Sequence, residues 1–172
     1  MKVKNILITG KPGCGKTTLI KDLICEINCE KVGFFTEEIR EQGKRIGFKI
    51  ITLSGKSGIL ASESYKTSFK VSRYYVSLQT FEELGVKELE EGLKKDCLIV
   101  IDEIGKMEFF SEKFREILFE VLESKNKVLG TIMFKSHPVC DRIKKREDTK
   151  VFILERENYP VIKQEVLKIL KN

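Results

Sequence analysis

The chain has no apolar run long enough to cross a bilayer: its longest clean stretch, Leu98 to Ile101, falls far short of the roughly twenty residues that a spanning helix needs. No signal-peptide core follows Lys2 and Lys4 either, because Ile6, Leu7 and Ile8 give way at once to polar Thr9. A cytoplasmic location with no membrane attachment is the expectation. There is no C-x-x-C pair, and the five cysteines are an odd number, which argues against a disulfide framework and against a zinc ribbon. Cys25 and Cys29 would stand one helical turn apart, but no histidine accompanies them, so they read as reduced packing residues. The one histidine, His137, precedes Pro138 and reads as a loop residue. Glutamine and asparagine are scarce, three and five residues beside abundant Lys, Glu and Ile, a composition that leans toward heat adaptation. No repeat, low-complexity tract or Pro/Gly/Ser-rich linker interrupts the 172 residues, so 1–172 is expected to fold as one domain.

What is present is a globular composition, 41% hydrophobic and 34% charged, with a net charge of +6. The positive excess makes an acidic partner worth considering, yet it is spread along the chain. Its densest stretch, "RIKKR" from Arg142 to Arg146, is too short to mark a nucleic-acid site and reads as a solvated helix face. RNA is therefore a partner that no motif announces, and a monomer is expected.

The elements alternate. "VKNILIT" (Val3 to Thr9) reads as a buried strand, and Leu19, Ile20, Leu23, Ile24 and Ile27 follow at helical spacing. "VGFFTEEIR", "IGFKIITL" and "ILA" read as three short strands of an antiparallel insertion over about residues 36–61. Thr80 with Glu83 forms a capping box for a helix through Val86, Leu89 and Leu93. "CLIVIDE" is apolar enough to be a central strand covered on both faces. Ser111 can cap a helix whose Phe114, Ile117, Leu118, Val121 and Leu122 form one stripe. "KVLGTIMF" and "KVFILE" read as two more strands, Pro138 opens a short basic helix, and Ile162, Val166, Ile169 and Leu170 mark a last one. The succession predicts an α/β fold, a doubly wound and mostly parallel sheet with one small antiparallel insertion.

"GKPGCGKT", Gly10 to Thr17, matches G-x-x-x-x-G-K-[ST] in full, between a strand and a helix as the motif requires. Gly10, Gly13 and Gly15 let the backbone turn its N–H groups onto phosphate oxygens at a helix N-terminus. Lys11, Pro12 and Cys14 fill the free positions; Pro12 stiffens the loop and Cys14 carries no assigned chemistry. Lys16 can reach the β- and γ-phosphates, Thr17 can coordinate Mg²⁺ and Thr18 can touch the α-phosphate. A nucleotide polyphosphate with Mg²⁺ is thus the expected ligand.

"LIVIDEIGKME" decides what happens to it. Asp102, ending a buried strand, lies at the sheet edge beside the loop and can hold the magnesium. Glu103, next to it, can orient or deprotonate a water aligned on the γ-phosphate, unless it merely pairs with Lys106 on the surface. Thr131 in "VLGTI" is placed to reach the γ-phosphate or that water, or is only a β-branched strand residue. Lys106, Arg115 and Arg142 compete for the role of a cation over the developing charge. Hydrolysis is favoured.

"GKPGCGKTTL", "GFFTEEIR" followed by "RIGFKI", "LQTFEEL", "IVIDEIGKMEFF" and a later "HP" resemble, in the same order and over nearly the whole chain, the thermophilic nucleoside-triphosphatase family that includes the cancer-related nucleoside-triphosphatases. The resemblance implies slow hydrolysis of ATP, GTP and other nucleoside triphosphates to the diphosphate, with broad base tolerance. It implies a P-loop NTPase sheet of the RecA-like type, with a strand added between the phosphate-loop strand and the Asp-Glu strand. It also implies that Gly10 to Thr17 and the segment Ile99, Val100, Ile101, Asp102, Glu103, Ile104, Gly105 and Lys106 bind nucleotide. Two other classes compete: a nucleotide or nucleoside kinase with a basic lid at about 135–148, and a nucleotide-switched RNA-binding module.

Overall fold

Two segments with uninterrupted apolar centres, Asn5–Thr9 and Leu98–Ile104, need cover on both faces, and both lie inside one nine-stranded sheet. The computed structural model describes residues 1–172. Its strands are β1 (Asn5–Thr9), β2 (Lys31–Glu41), β3 (Lys44–Thr52), β4 (Ser57–Ser62), β5 (Lys70–Val71), β6 (Tyr74–Val76), β7 (Leu98–Ile104), β8 (Lys127–Ile132) and β9 (Thr149–Ile153). The sheet order is β5-β6-β4-β3-β2-β7-β8-β1-β9. From β2 to β9 the neighbours run parallel, and β8 stands between β1 and β7, the added strand that the resemblance implied. Leu7 pairs with Gly130 and Ile101 with Gly130 from the other side, so β1, β7 and β8 end along one edge.

Beyond β2 the pairing turns antiparallel. Lys31 to Phe34 lie beside β7, while Phe34 to Glu41 lie beside β3, so one strand serves both halves of the sheet. The antiparallel part runs past residue 61 to the hairpin of β5 and β6, which the sequence did not announce. It is a continuation of the central sheet.

Alternation along each strand builds two cores. On one face Leu7, Ile99 and Ile101 pack with Phe114, Leu118 and Val121 of α4 (Glu112–Glu123). On the other, Ile6, Ile8 and Val100 pack with Leu19, Ile20 and Leu23 of α1 (Lys16–Glu26) and with Ile162 and Val166 of α6 (Tyr159–Lys171). Leu118 is fully buried, so Leu118→Ala is expected to cost about 2–5 kcal/mol. Denaturant unfolding reads it directly, and a loss below about 1 kcal/mol would deny α4 its place in the core.

Helix ends follow local chemistry with two departures. Ser111 caps α4 as expected, accepting from the Phe114 N–H at 3.1 Å. The helix through Val86 is capped by Ser77, not Thr80: α2 (Leu78–Phe81) passes through a π-helical turn (Glu82–Val86) into α3 (Lys87–Leu93), and the Ser77 side chain accepts from Thr80 N. The Ser77 N–H bonds the Leu60 carbonyl, so the sheet decides where this helix begins. α5 (Pro138–Lys144) is capped by His137, whose Nδ1 accepts from Val139 N at 3.2 Å while the ring stacks on Phe109. The second departure concerns cysteine. α1 ends at Glu26, so Cys29 lies beyond the helix, and Cys25 and Cys29 are both exposed; only Cys97 and Cys140 are buried. All five are free, and no helix is long and apolar enough to cross a membrane.

Candidate active site

The phosphate loop is shaped by three glycines at positive φ, Gly10 at 154°, Gly13 at 78° and Gly15 at 100°. Side chains rarely adopt such angles, and at Gly10 a Cβ would also stand 2.7 Å from the Leu154 carbonyl oxygen. Gly15 enters α1 without any side-chain cap, which leaves the first N–H groups of an eleven-residue helix free for an anion. Lys11, Pro12, Gly13 and Thr18 are exposed, and Cys14, Lys16 and Thr17 half-buried. The Lys16 ammonium folds back over the loop and donates to the carbonyls of Gly10 at 3.0 Å and Lys11 at 3.3 Å.

One carboxylate gathers three elements. Thr17 Oγ1, from the start of α1, donates to Asp102 Oδ2 at 2.7 Å, and Thr131 Oγ1, from β8, donates to Asp102 Oδ1 at 2.6 Å. Asp102 is almost wholly buried at the end of β7; burial raises its pKa, opposed by the two hydroxyls and then by Lys16 and Lys21. Thr131 is fully buried, so its hydroxyl is spent on Asp102 rather than turned toward a γ-phosphate. Thr17 and Asp102 offer two hard oxygen donors side by side. No cluster of three or more His, Cys, Asp or Glu side chains forms a cage of its own. Such a pair could hold a cation only with further ligands from outside the chain.

Glu103 follows, half-buried, through a cis peptide bond. Burial and then the neighbouring Asp102 push its pKa up to about 7, against the pull of Lys16. A second acid stands behind it. Glu108, on the short 3-10 turn Glu108–Phe110, is 5% exposed, and burial followed by Glu103 drives it well above the usual carboxylate range. Gly105 lies between the two: a Cβ there would stand 2.6 Å from Glu103 Oε1 and 3.4 Å from Glu108 Oε2. Glu108 is absent from the sequence-level candidates. Its one signal is position, an acid leading directly into Phe109 and Phe110 in a segment that must pack.

The remaining candidates are placed less centrally. Ile99, Val100, Ile101 and Ile104 are fully buried; they fill the cores and serve the site by carrying Asp102 and Glu103 to the edge. Lys106 and Arg115 are exposed, and the Arg142 guanidinium lies 4.3 Å over the Phe119 ring. The cation whose field reaches Asp102 besides Lys16 is Lys21, four residues after Thr17 on the same face of α1. Its ammonium is bound to Glu37 and sits over the Phe35 ring. Glu37 also pairs with Lys49, and Glu38 with Arg40 and Arg45, so these β2 acids are committed to cations within the sheet. The basic stretch at 135–148 is anchored: Cys140 and Ile143 are buried, Lys144 donates to the Met133 carbonyl and Arg146 pairs with Asp148.

A family model described as NTPase matches residues 5–167. The chain is similar to nucleoside-triphosphatase THEP1 of Thermotoga petrophila, 50% identical over 166 residues that cover 96% of this chain and 92% of the relative. Its fold matches the crystal structure of THEP1 from the hyperthermophile Aquifex aeolicus with a TM-score of 0.88, at 39% identity and over 98% of this chain and 99% of that one. It also matches the solution structure of a human cancer-related nucleoside triphosphatase, with a TM-score of 0.82 at 34% identity over 98% of each chain.

Proposed function

The chain belongs to the NTPase family, and from that premise we propose that it is a nucleoside-triphosphatase cleaving the γ-phosphate of ATP, GTP and other nucleoside triphosphates to the diphosphate and phosphate, slowly and with Mg²⁺. The observation that carries this reading is the hydrogen-bonded set of Thr17, Asp102 and Thr131 at the mouth of the phosphate loop, with Glu103 beside it.

The loop amides of Gly13 to Thr17 take the phosphate oxygens, and Lys16 exchanges its two loop carbonyls for the β- and γ-phosphates. Thr17 and Asp102 would hold the magnesium, which would supply positive charge to neutralise the phosphates when bound. Thr131 fixes the Asp102 carboxylate, so that its lone pairs stay aimed while Thr17 turns toward the ligand. Glu103 orients the attacking water and accepts its proton. Asp102 does not compete for that proton, because its carboxylate is held by Thr131 and is committed to the cation side of the site.

Broad base tolerance suits a site whose recognised part is phosphate, read largely by backbone. Slow turnover suits the cations: Arg142 stacks on Phe119 and Lys21 is held by Glu37, so neither is aimed as a finger worth a thousandfold or so. The anchored α5 argues against the lid that a kinase would need. Product analysis with ATP, GTP, CTP and UTP, with and without nucleoside or nucleotide acceptors, tests the reading. Diphosphate and phosphate are expected from all four, with kcat/KM values within about tenfold of one another because no base-specific hydrogen bond is invoked. Phosphoryl transfer to an added acceptor in place of phosphate release would establish a kinase instead.

A further inference from the structure

We propose that Glu108 is a positioning residue, which holds the Glu103 carboxylate toward the open end of the phosphate loop; the proposal rests on the reading of Glu103 as the group that activates water.

Glu108 is a buried acid without a cation: none of the chain's ion pairs includes it, whereas Glu37 and Glu38 of β2 are each held by two cations. A buried carboxyl is expensive unless it is hydrogen-bonded, so its neighbours matter. Those are the backbone amides of Gly105 and Glu108 itself, and Glu103. The Glu103 and Glu108 oxygens lie within 3.4 Å of one common point above Gly105, and the absence of a side chain at Gly105 is what lets them approach. Burial favours the uncharged form of Glu108, which has an O–H to donate to its neighbour.

The frame beneath Glu108 is rigid. Phe109 N bonds the Gly105 carbonyl and Ser111 N bonds the Glu108 carbonyl, each at 3.1 Å. Phe109 stacks on His137 at 4.7 Å, and Phe110 packs on Phe69 of the antiparallel half at 5.3 Å between ring centres. Ser111 then caps α4. Glu103, by contrast, has no hydrogen-bonded side-chain partner of its own among the residues that hold Asp102. Glu108 supplies the orientation that Thr17 and Thr131 supply to Asp102. A general base displaced by about 1 Å loses much of its effect, so the second acid matters to rate more than to affinity.

The test is steady-state kinetics on Glu108→Leu, Glu108→Asp and Glu108→Gln, on Glu103→Gln, and on the pair Glu103→Gln with Glu108→Leu. Leucine removes the donor and aspartate withdraws the carboxyl by one methylene; each is expected to lower kcat about tenfold or more while KM moves less than about threefold. Glutamine keeps the length and an N–H donor, and is expected to turn over at least about fivefold faster than leucine. In the Glu103→Gln background the leucine substitution should add almost nothing, since the group it positions is already disabled. Parental kcat in both the leucine and the aspartate variants overturns the proposal. So does a glutamine variant as slow as leucine, or a leucine loss that multiplies with that of Glu103→Gln, since either marks a structural role. Should the leucine chain not fold, the aspartate variant carries the same comparisons. Parental turnover in Glu103→Gln alone defeats the reading of Glu103 itself, and this one with it.

Discussion

Glu103→Gln is expected to leave triphosphate binding in place and to cut hydrolysis about a hundredfold or more, the usual scale for a lost general base. The amide keeps the shape and the hydrogen-bonding reach of the carboxylate and loses only its basicity. Asp102→Asn, one residue away, should fail differently. Asp102 accepts from Thr17 at one oxygen and from Thr131 at the other, and an amide offers one acceptor where the carboxylate offers two. One of the hydroxyls must turn away or meet an N–H, and the site loses a negative charge. Mg²⁺-dependent nucleotide binding is therefore expected to weaken about tenfold to a hundredfold. Stability should suffer little, because burial already disfavours the Asp102 charge. Binding of a slowly hydrolysed analogue, titrated at several magnesium concentrations, separates the two variants. Identical behaviour would mean that the adjacent acids share one role, against the geometry that buries one between two hydroxyls and leaves the other beside Gly105.

Lys16→Ala is expected to reduce phosphate release by at least about a hundredfold, since it removes the cation that folds back over the loop, where the phosphates would lie. The fold should not notice. The ammonium's partners in the chain are two loop carbonyls and the Cys14 sulfur, and the Lys11 carbonyl it leaves belongs to an exposed residue that water can reach. Thermal unfolding should shift by no more than a surface substitution does, about 0.5 kcal/mol. A variant that folds and still hydrolyses at the parental rate would remove the phosphate loop from the mechanism.

The parts of this site legible in the sequence are those made by short-range chemistry. Three glycines, a lysine and a threonine define the loop because the loop is local, and Asp102 and Glu103 are placed by the strand that ends with them. What was hidden depends on chain segments that meet only in three dimensions. Ser77 rather than Thr80 caps the helix because β6 and β4 bring Ser77 to the Leu60 carbonyl. Lys21 is in register with Thr17 along α1, but its partner Glu37 lies on a strand whose crossing over the helix no spacing reveals. Glu108 looks like a solvated acid until Phe109 and Phe110 are seen to be seated on His137 and Phe69. The β5 and β6 hairpin is two and three residues long, too short for any periodicity, and turns through Ser72 at a φ of 55°.

The neighbours of β1 set the order in which this protein can be made. The phosphate loop leaves a ribosome before β8 and β9, yet the strand that carries it is flanked by both. The far wall of the loop is the backbone after β9, where the Leu154 N–H bonds the Thr9 carbonyl at 2.7 Å. The β9 edge of β1 stays open until that segment arrives, even once β8 has paired along the other edge. A nascent chain halted before residue 149 would carry the complete glycine motif without β9 or the Leu154 wall beside it.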